Sequence, residues 1–197
     1  MKVIAISGSP RPKGNTVAAC HFALEEVAKE GIDTELITLA GKNIQPCTAC
    51  GKCGDDKRCS THKDDFELIY QEVKNAQGLI LASPVYFGCA TPPICAVMHR
   101  LGYVSRCGDN FLERMVGGPI AVARRAGHNA TFAQLGMFFS INDMIQVGST
   151  YWNVVTARDP GEAQQDTEGV ETLRHFGQNI AWLLNKIHGG CEGRSEK

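Results

Sequence analysis

Short runs of continuously apolar or β-branched residues alternate along this chain with longer stretches in which apolar residues recur every three to four positions. The runs at 2–7, 34–39, 78–83, 118–123 and 144–147 have the length and composition of strands buried on both faces. Between them, Val17, Cys20, Leu24 and Val27 share one helical face, as do Phe66, Ile69, Val73 and Ala76, and Ile94, Val97, Met98 and Leu101. A fourth apolar segment spans 131–141, and a long last helix carries Val170, Leu173, Gly177, Ile180, Leu184 and Ile187 on one side. Five strand–helix units predict a doubly wound three-layer α/β sandwich around a five-stranded parallel sheet. They fill residues 1–190 as one domain, with a cysteine-rich loop at 46–60 and a short tail at 191–197. Asp64 and Asp65 are placed to cap the second helix, Pro92 and Pro93 suit the first turn of the third, and Gly31 and Gly102 mark where the first and third stop. Residues 149–166, with the turn signal Asp159-Pro160-Gly161, read as a strand extension followed by a long loop in which Tyr151, Trp152 and Asn153 are expected to pack.

Composition leaves this picture intact and narrows the partners. Apolar residues make up 43% of the chain and charged residues 21%, ordinary values for a domain with a buried core. Twenty basic against 21 acidic residues give a net charge of −1, so nothing electrostatic points to nucleic acid or an anionic membrane. Lys2 and the apolar run at 3–6 give way at once to Ser-Gly-Ser-Pro-Arg, which is neither a secretory signal nor a spanning helix; a cytoplasmic location is expected. Nine cysteines are the anomaly, because a reducing compartment turns them toward metal, cluster or redox chemistry, or toward simple burial.

The first strand runs directly into Ser7-Gly8-Ser9-Pro10-Arg11-Pro12-Lys13-Gly14-Asn15-Thr16, after which the first helix begins. Such a loop offers backbone N–H groups, hydroxyls and the positive end of a helix dipole to a phosphate, with Arg11 and Lys13 adding charge. Gly8 and Gly14 enclose five residues and Asn15-Thr16 follows, which rules out the P-loop pattern, and Gly-x-Gly-x-x-Gly is absent. A terminal phosphomonoester such as that of FMN remains; the alternative is a polar turn with a helix cap at Asn15 or Thr16. The third strand ends in Ser83-Pro84-Val85-Tyr86-Phe87-Gly88, on the same carboxyl edge of the sheet, where Tyr86 and Phe87 offer flat apolar area for a ring. The fourth ends in Ala123-Arg124-Arg125-Ala126-Gly127-His128, which reads either as donors and charge for a polar cofactor rim or as a solvated basic loop.

Cys47, Cys50, Cys53 and Cys59 lie within 13 residues, and the other five cysteines are scattered. Three thiols at two-residue intervals match the compact run by which ferredoxin-like loops hold irons of a four-iron cluster, with Cys59 in reach of the fourth. Gly51 and Gly54 are expected to let the backbone wrap around the sulfurs. Structural zinc more typically uses two Cys-x2-Cys arms far apart, yet zinc, thiol redox chemistry and inert cysteines stay open as alternatives. His62 reads as a solvated loop residue, Cys20 as core, and Cys89, Cys95 and Cys107 as packing; His99, His128 and His175 show no partner pattern of a catalytic base.

Together the phosphate loop, the Ser-Pro-Val-Tyr-Phe-Gly loop and the intervening cysteines resemble the iron-sulfur flavoproteins, a branch of the NADPH-dependent FMN reductase group, over essentially the whole chain. The resemblance implies a flavodoxin-like sheet of order 2-1-3-4-5. It also implies FMN phosphate at Ser9, Arg11, Asn15 and Thr16 and the flavin ring at Pro84, Val85, Tyr86, Phe87 and Gly88; Gly14 of the first loop, and Arg124 and Gly127 at the rim, complete the candidate cofactor residues. A four-iron four-sulfur cluster on Cys47, Cys50, Cys53 and Cys59 is implied likewise, together with a homodimer or homotetramer. The segment 132–141 fits the latter, with Phe138 and Phe139 expected to leave an apolar surface. The expected activity is electron transfer between FMN and the cluster, with NAD(P)H docking transiently or a ferredoxin-type carrier as donor and a small molecule as acceptor. A cluster-free NAD(P)H-dependent FMN or quinone reductase, and a non-catalytic carrier or redox sensor, are the competing readings.

Overall fold

The computed structural model describes residues 1–189; the tail at 191–197, Cys191 included, lies outside the described residues. All five apolar runs form parallel strands: β1 (Lys2–Ser7), β2 (Asp33–Thr38), β3 (Gly78–Pro84), β4 (Val116–Ala123) and β5 (Ile145–Gln146). Their order is β2-β1-β3-β4-β5, the flavodoxin-like doubly wound topology. β1, β3 and β4 are buried at nearly every position, as expected of central strands covered on both faces.

Helices α1 (Asn15–Lys29) and α6 (Thr167–His188) cover one face; α3 (Phe66–Lys74), α4 (Pro92–Cys107) and α5 (His128–Ile141) cover the other, and a single turn, α2 (Cys53–Asp56), lies in the cysteine loop. The α1–α6 pair is tied by the buried Glu26, which accepts from Lys29 Nζ at 2.5 Å and from Gln178 Nε2 at 3.0 Å. Lys29 foremost, then Gln178, holds the Glu26 carboxyl below its ordinary range. Among the described residues no helix is long and apolar enough to cross a membrane.

Where the pattern predicts a strand extension, the chain forms a separate sixth strand, β6 (Val154–Thr156). β5 pairs with Val116 and Gly117 of β4, and β6 with Ala121 to Ala123, so two short strands share one edge lane. The break falls opposite Pro119, which has no N–H to give a ladder; the Asn153 side chain donates to the Pro119 carbonyl at 3.2 Å instead.

Three expectations need correction. α4 continues through Gly102 and stops before Gly108, because Leu101 and Val104 prolong its buried stripe. Asp64 Oδ1 accepts from Phe66 N–H, the first of α3, at 3.3 Å, but Asp65 precedes the helix without a side-chain cap bond. It accepts instead from Asn43 N–H, and Asp64 from Gln45 N–H, both at 2.7 Å, so the two carboxylates fasten the base of the cysteine loop. Phe138 and Phe139 are both buried, edge to face at 5.8 Å; the apolar surface of α5 is made by Met137 and Ile141, beside Tyr103 of α4.

Candidate functional site

The loop after β1 is fixed from below. Gly8 N–H donates to Ala82 O at 2.8 Å, and Thr91, just before α4, donates to Gly8 O at 2.7 Å. The Ser9 hydroxyl accepts from Arg11 N–H at 3.1 Å, which curls the loop back over the start of α1. No side chain caps α1, so its first N–H groups are orphan donors facing the loop. The Asn15 side chain is committed elsewhere: it donates to Asp159 O at 2.9 Å and accepts from Gly161 and Ala163 N–H, binding the 159–163 loop beside the cradle.

A cavity opens here. Ser9, Arg11, Gly14, Asn15 and Thr16 line one wall; Pro84, Val85, Tyr86 and Arg124 line another. The structure thus brings together nine of the twelve expected cofactor residues. It leaves out three. Phe87 and Gly88 form the tip of a tight turn closed by paired hydrogen bonds between Tyr86 and Cys89; both residues have positive φ, and the Phe87 side chain is fully exposed. Gly127, at φ +94, supports Val85 from behind, and a Cβ there would stand 2.8 Å from Val85 Cγ1. Five further residues line the cavity: Pro10 and Ala123, which lie within the two loops already singled out, and Val122, Ala157 and Arg158, which do not. The last two arrive because Ala157 N–H donates to Ala123 O, an extension of the β4–β6 pairing that no motif announces. Tyr151 and Trp152, read as packed, are exposed with ring centroids 5.2 Å apart, while Asn153 is buried.

The second cavity, about 150 Å3, is of the size that admits a benzene-sized group. Cys47, Cys50, Cys53 and Cys59 all line it, with Tyr103 and Val104 of α4 closing its floor. Gly51, at φ +77, turns the chain between the second and third cysteines; Gly54 lies in α2 with ordinary backbone. Thr61 Oγ1 is 2.8 Å from Cys50 Sγ and lowers that thiol's pKa; burial, then Cys107, raises that of Cys53. His62 corrects its expectation: it is half-buried on the cavity wall, and its Nε2 is buried without a hydrogen-bond partner. Among the described residues no three His, Cys, Asp or Glu side chains converge on a point fit for one metal ion. A four-iron cluster makes a different demand, one thiolate for each iron around a shared cavity.

Beneath the loop Arg100, 1% exposed, pairs with Asp64 through Nη1 at 2.6 Å and Nη2 at 3.0 Å, and its Nε donates to Cys59 Sγ at 3.2 Å. Burial alone lifts the Asp64 carboxyl, but Arg100 and Gln45 N–H bring it below its ordinary value. Sequence reasoning missed Arg100. The signal was a charge at 100 within the apolar positions 97, 101 and 104.

The scattered cysteines divide. Cys20 is core, and burial pushes its thiol up to about 12. Cys95 is half-buried under Gln134, while Cys89 is exposed on the Tyr86 turn. Cys107, expected to be packing, is exposed at the end of α4 and lines the cysteine cavity.

Known proteins resemble this chain over most of its length. Residues 1–159 match the NADPH-dependent FMN reductase family. An iron-sulfur flavoprotein of Methanocaldococcus jannaschii is 40% identical over 95% of this chain and 99% of its own length. Another, from Archaeoglobus fulgidus, is 34% identical with the same coverage. Among solved structures, RosB with a bound 8-demethyl-8-formylriboflavin 5'-phosphate intermediate superposes with TM-score 0.74 over 96% of this chain and 81% of that one, at 15% identity, a likeness of fold. The chain is therefore an FMN-dependent oxidoreductase of the NADPH-dependent FMN reductase family, in its iron-sulfur flavoprotein branch.

Proposed function

We propose that the chain binds FMN in the cradle after β1, binds a four-iron four-sulfur cluster in the cysteine cavity, and passes electrons between the two. The observation that carries this reading is that all four cysteines of the run line one cavity, into whose wall an unpartnered His62 Nε2 is buried. In this reading the α1 N–H groups and Arg11 hold the phosphate, and Pro84, Val85 and Tyr86 bear on the ring from the β3 side. Arg124 and Arg158 supply positive charge at the rim. A flavin accepts a hydride's two electrons while an iron-sulfur cluster exchanges one at a time, so the pair splits or collects electron pairs. The protein then positions and insulates, and no acid–base side chain is needed for hydride transfer.

NAD(P)H or a reduced ferredoxin-type carrier is the donor in this account, and exposed Tyr86, Tyr151 and Trp152 offer aromatic area to a docking partner. The apolar surface of Tyr103, Met137 and Ile141 supports a homodimer or homotetramer. The test is iron and flavin quantification on anaerobically purified protein. About one FMN and about four irons per chain are expected; flavin with zinc, or with no metal, would replace this reading by a cluster-free reductase.

A further inference from the structure

A guanidinium is expensive to bury, and replacing a buried ion pair by apolar residues is often neutral or favourable, so stability alone does not explain the Arg100–Asp64 pair. Its geometry suggests another use. Nη1 and Nη2 donate to the two Asp64 oxygens, Nη1 also donates to Gln45 O at 3.1 Å, and the guanidinium lies on Phe66 with Cζ 4.0 Å from the ring centroid. Asp64 in turn accepts from Gln45 N–H and Phe66 N–H. Every one of these contacts locks the group in place, and of the two donors left, one on Nη2 and Nε–H, the latter is aimed at Cys59 Sγ at 3.2 Å. Planar, permanently charged and held on three sides, Arg100 is a preoriented donor to a cysteine sulfur inside a low-dielectric site.

We propose that the Arg100–Asp64 pair sets the reduction potential of the cluster by controlling how much positive charge reaches the Cys59 sulfur. This rests on the cluster reading above. Reduction by one electron adds one negative charge to the cluster, and a charge-assisted hydrogen bond to a ligand sulfur favours the form with more charge. Arg100 therefore raises the potential, and Asp64, neutralising the same guanidinium from the far side, lowers it. The two residues act with opposite signs on one sulfur, which a scaffold role does not predict.

The experiment compares the anaerobic holoprotein with R100Q, D64N and the double variant, poised with mediators and read by visible absorbance and electron paramagnetic resonance of the cluster. At the wild-type midpoint, the reduced-to-oxidised ratio is expected to fall about tenfold in R100Q and to rise about tenfold in D64N, each equal to 59 mV for a one-electron couple. The double variant falls between them. Bound flavin reports folding independently, since neither residue lines the FMN cavity. Should R100Q fail to fold, the sign of the D64N shift decides alone. Iron-loaded variants with an unmoved ratio, shifts of the same sign, a D64N ratio that falls, or iron lost from both with flavin retained overturn this inference and leave the cluster reading standing. Wild-type protein without iron overturns both.

Discussion

The start and the middle of α4 serve two sites built on opposite plans. At its start, Thr91 fastens Gly8 of a cradle made mostly of backbone: strand ends, a helix N-terminus and a curled loop. About nine residues further on, roughly 14 Å at the rise of a helix, Arg100 sits under a cavity made mostly of side chains on a loop. The cradle inherits its geometry from the sheet, so a few local residues suffice to define it. The cysteine loop has no such frame, and its shape is imposed by carboxylates and one guanidinium reaching in from other elements. The two cavities share no lining residue, so each can be damaged while the other reports that the chain is folded.

The comparison breaks most sharply at the thiols. Cys50→Ala is expected to lose nearly all iron while keeping its flavin, both assayed on one sample; retained iron would remove Cys50 from the ligand set. Next in size, Asp64→Ala strands Arg100 and two backbone N–H groups, and should cost about 3–5 kcal/mol in urea unfolding of the metal-free protein. A loss below about 1 kcal/mol would mean that water reaches the pair. On the other side, Arg11→Ala should weaken FMN binding about ten- to hundredfold, roughly 1.5–3 kcal/mol for a bond to a charged group, with iron content unchanged. Equal loss of both cofactors would show that the sites are not independent.

Far from both, Glu26→Gln should cost about 1 kcal/mol, and the parent should show the matching pH dependence. Because the folded carboxyl is held low, its contribution is full above the unfolded value of about 4.3 and fades as pH falls through the lower folded value. Denaturation midpoints measured between neutral pH and pH about 3.5 check this, and the slope should flatten in the variant.

The same contrast explains what could be read beforehand. The five strand runs and the phosphate loop are visible because their chemistry is local: a buried parallel strand must be apolar, and a cradle must carry Gly, Ser and Thr. The cysteine spacing is local too. What escaped depends on the third dimension. β6 forms because Pro119 breaks the lane beside β4, which places Ala157 and Arg158 on the cradle's cavity from 70 residues downstream of Phe87. Phe87 looked like a ring wall but sits on a turn tip, and Phe138 looked like surface but is core, since a hydrophobic pattern does not say which neighbour covers it. Arg100 was overlooked because a charge on an apolar helix face invites no assignment until its partners, Asp64 and Cys59, are found 36 and 41 residues away.

The central claim is that flavin and cluster share electrons in one chain, and stoichiometric reductive titration of the anaerobic holoprotein tests it most directly. About three electron equivalents per chain are expected, two on the flavin and one on the cluster, with flavin bleaching and the cluster signal developing under a single donor and redistributing between the two after sub-stoichiometric addition. Uptake of about two equivalents, confined to the flavin and identical in Cys50→Ala, would contradict the account.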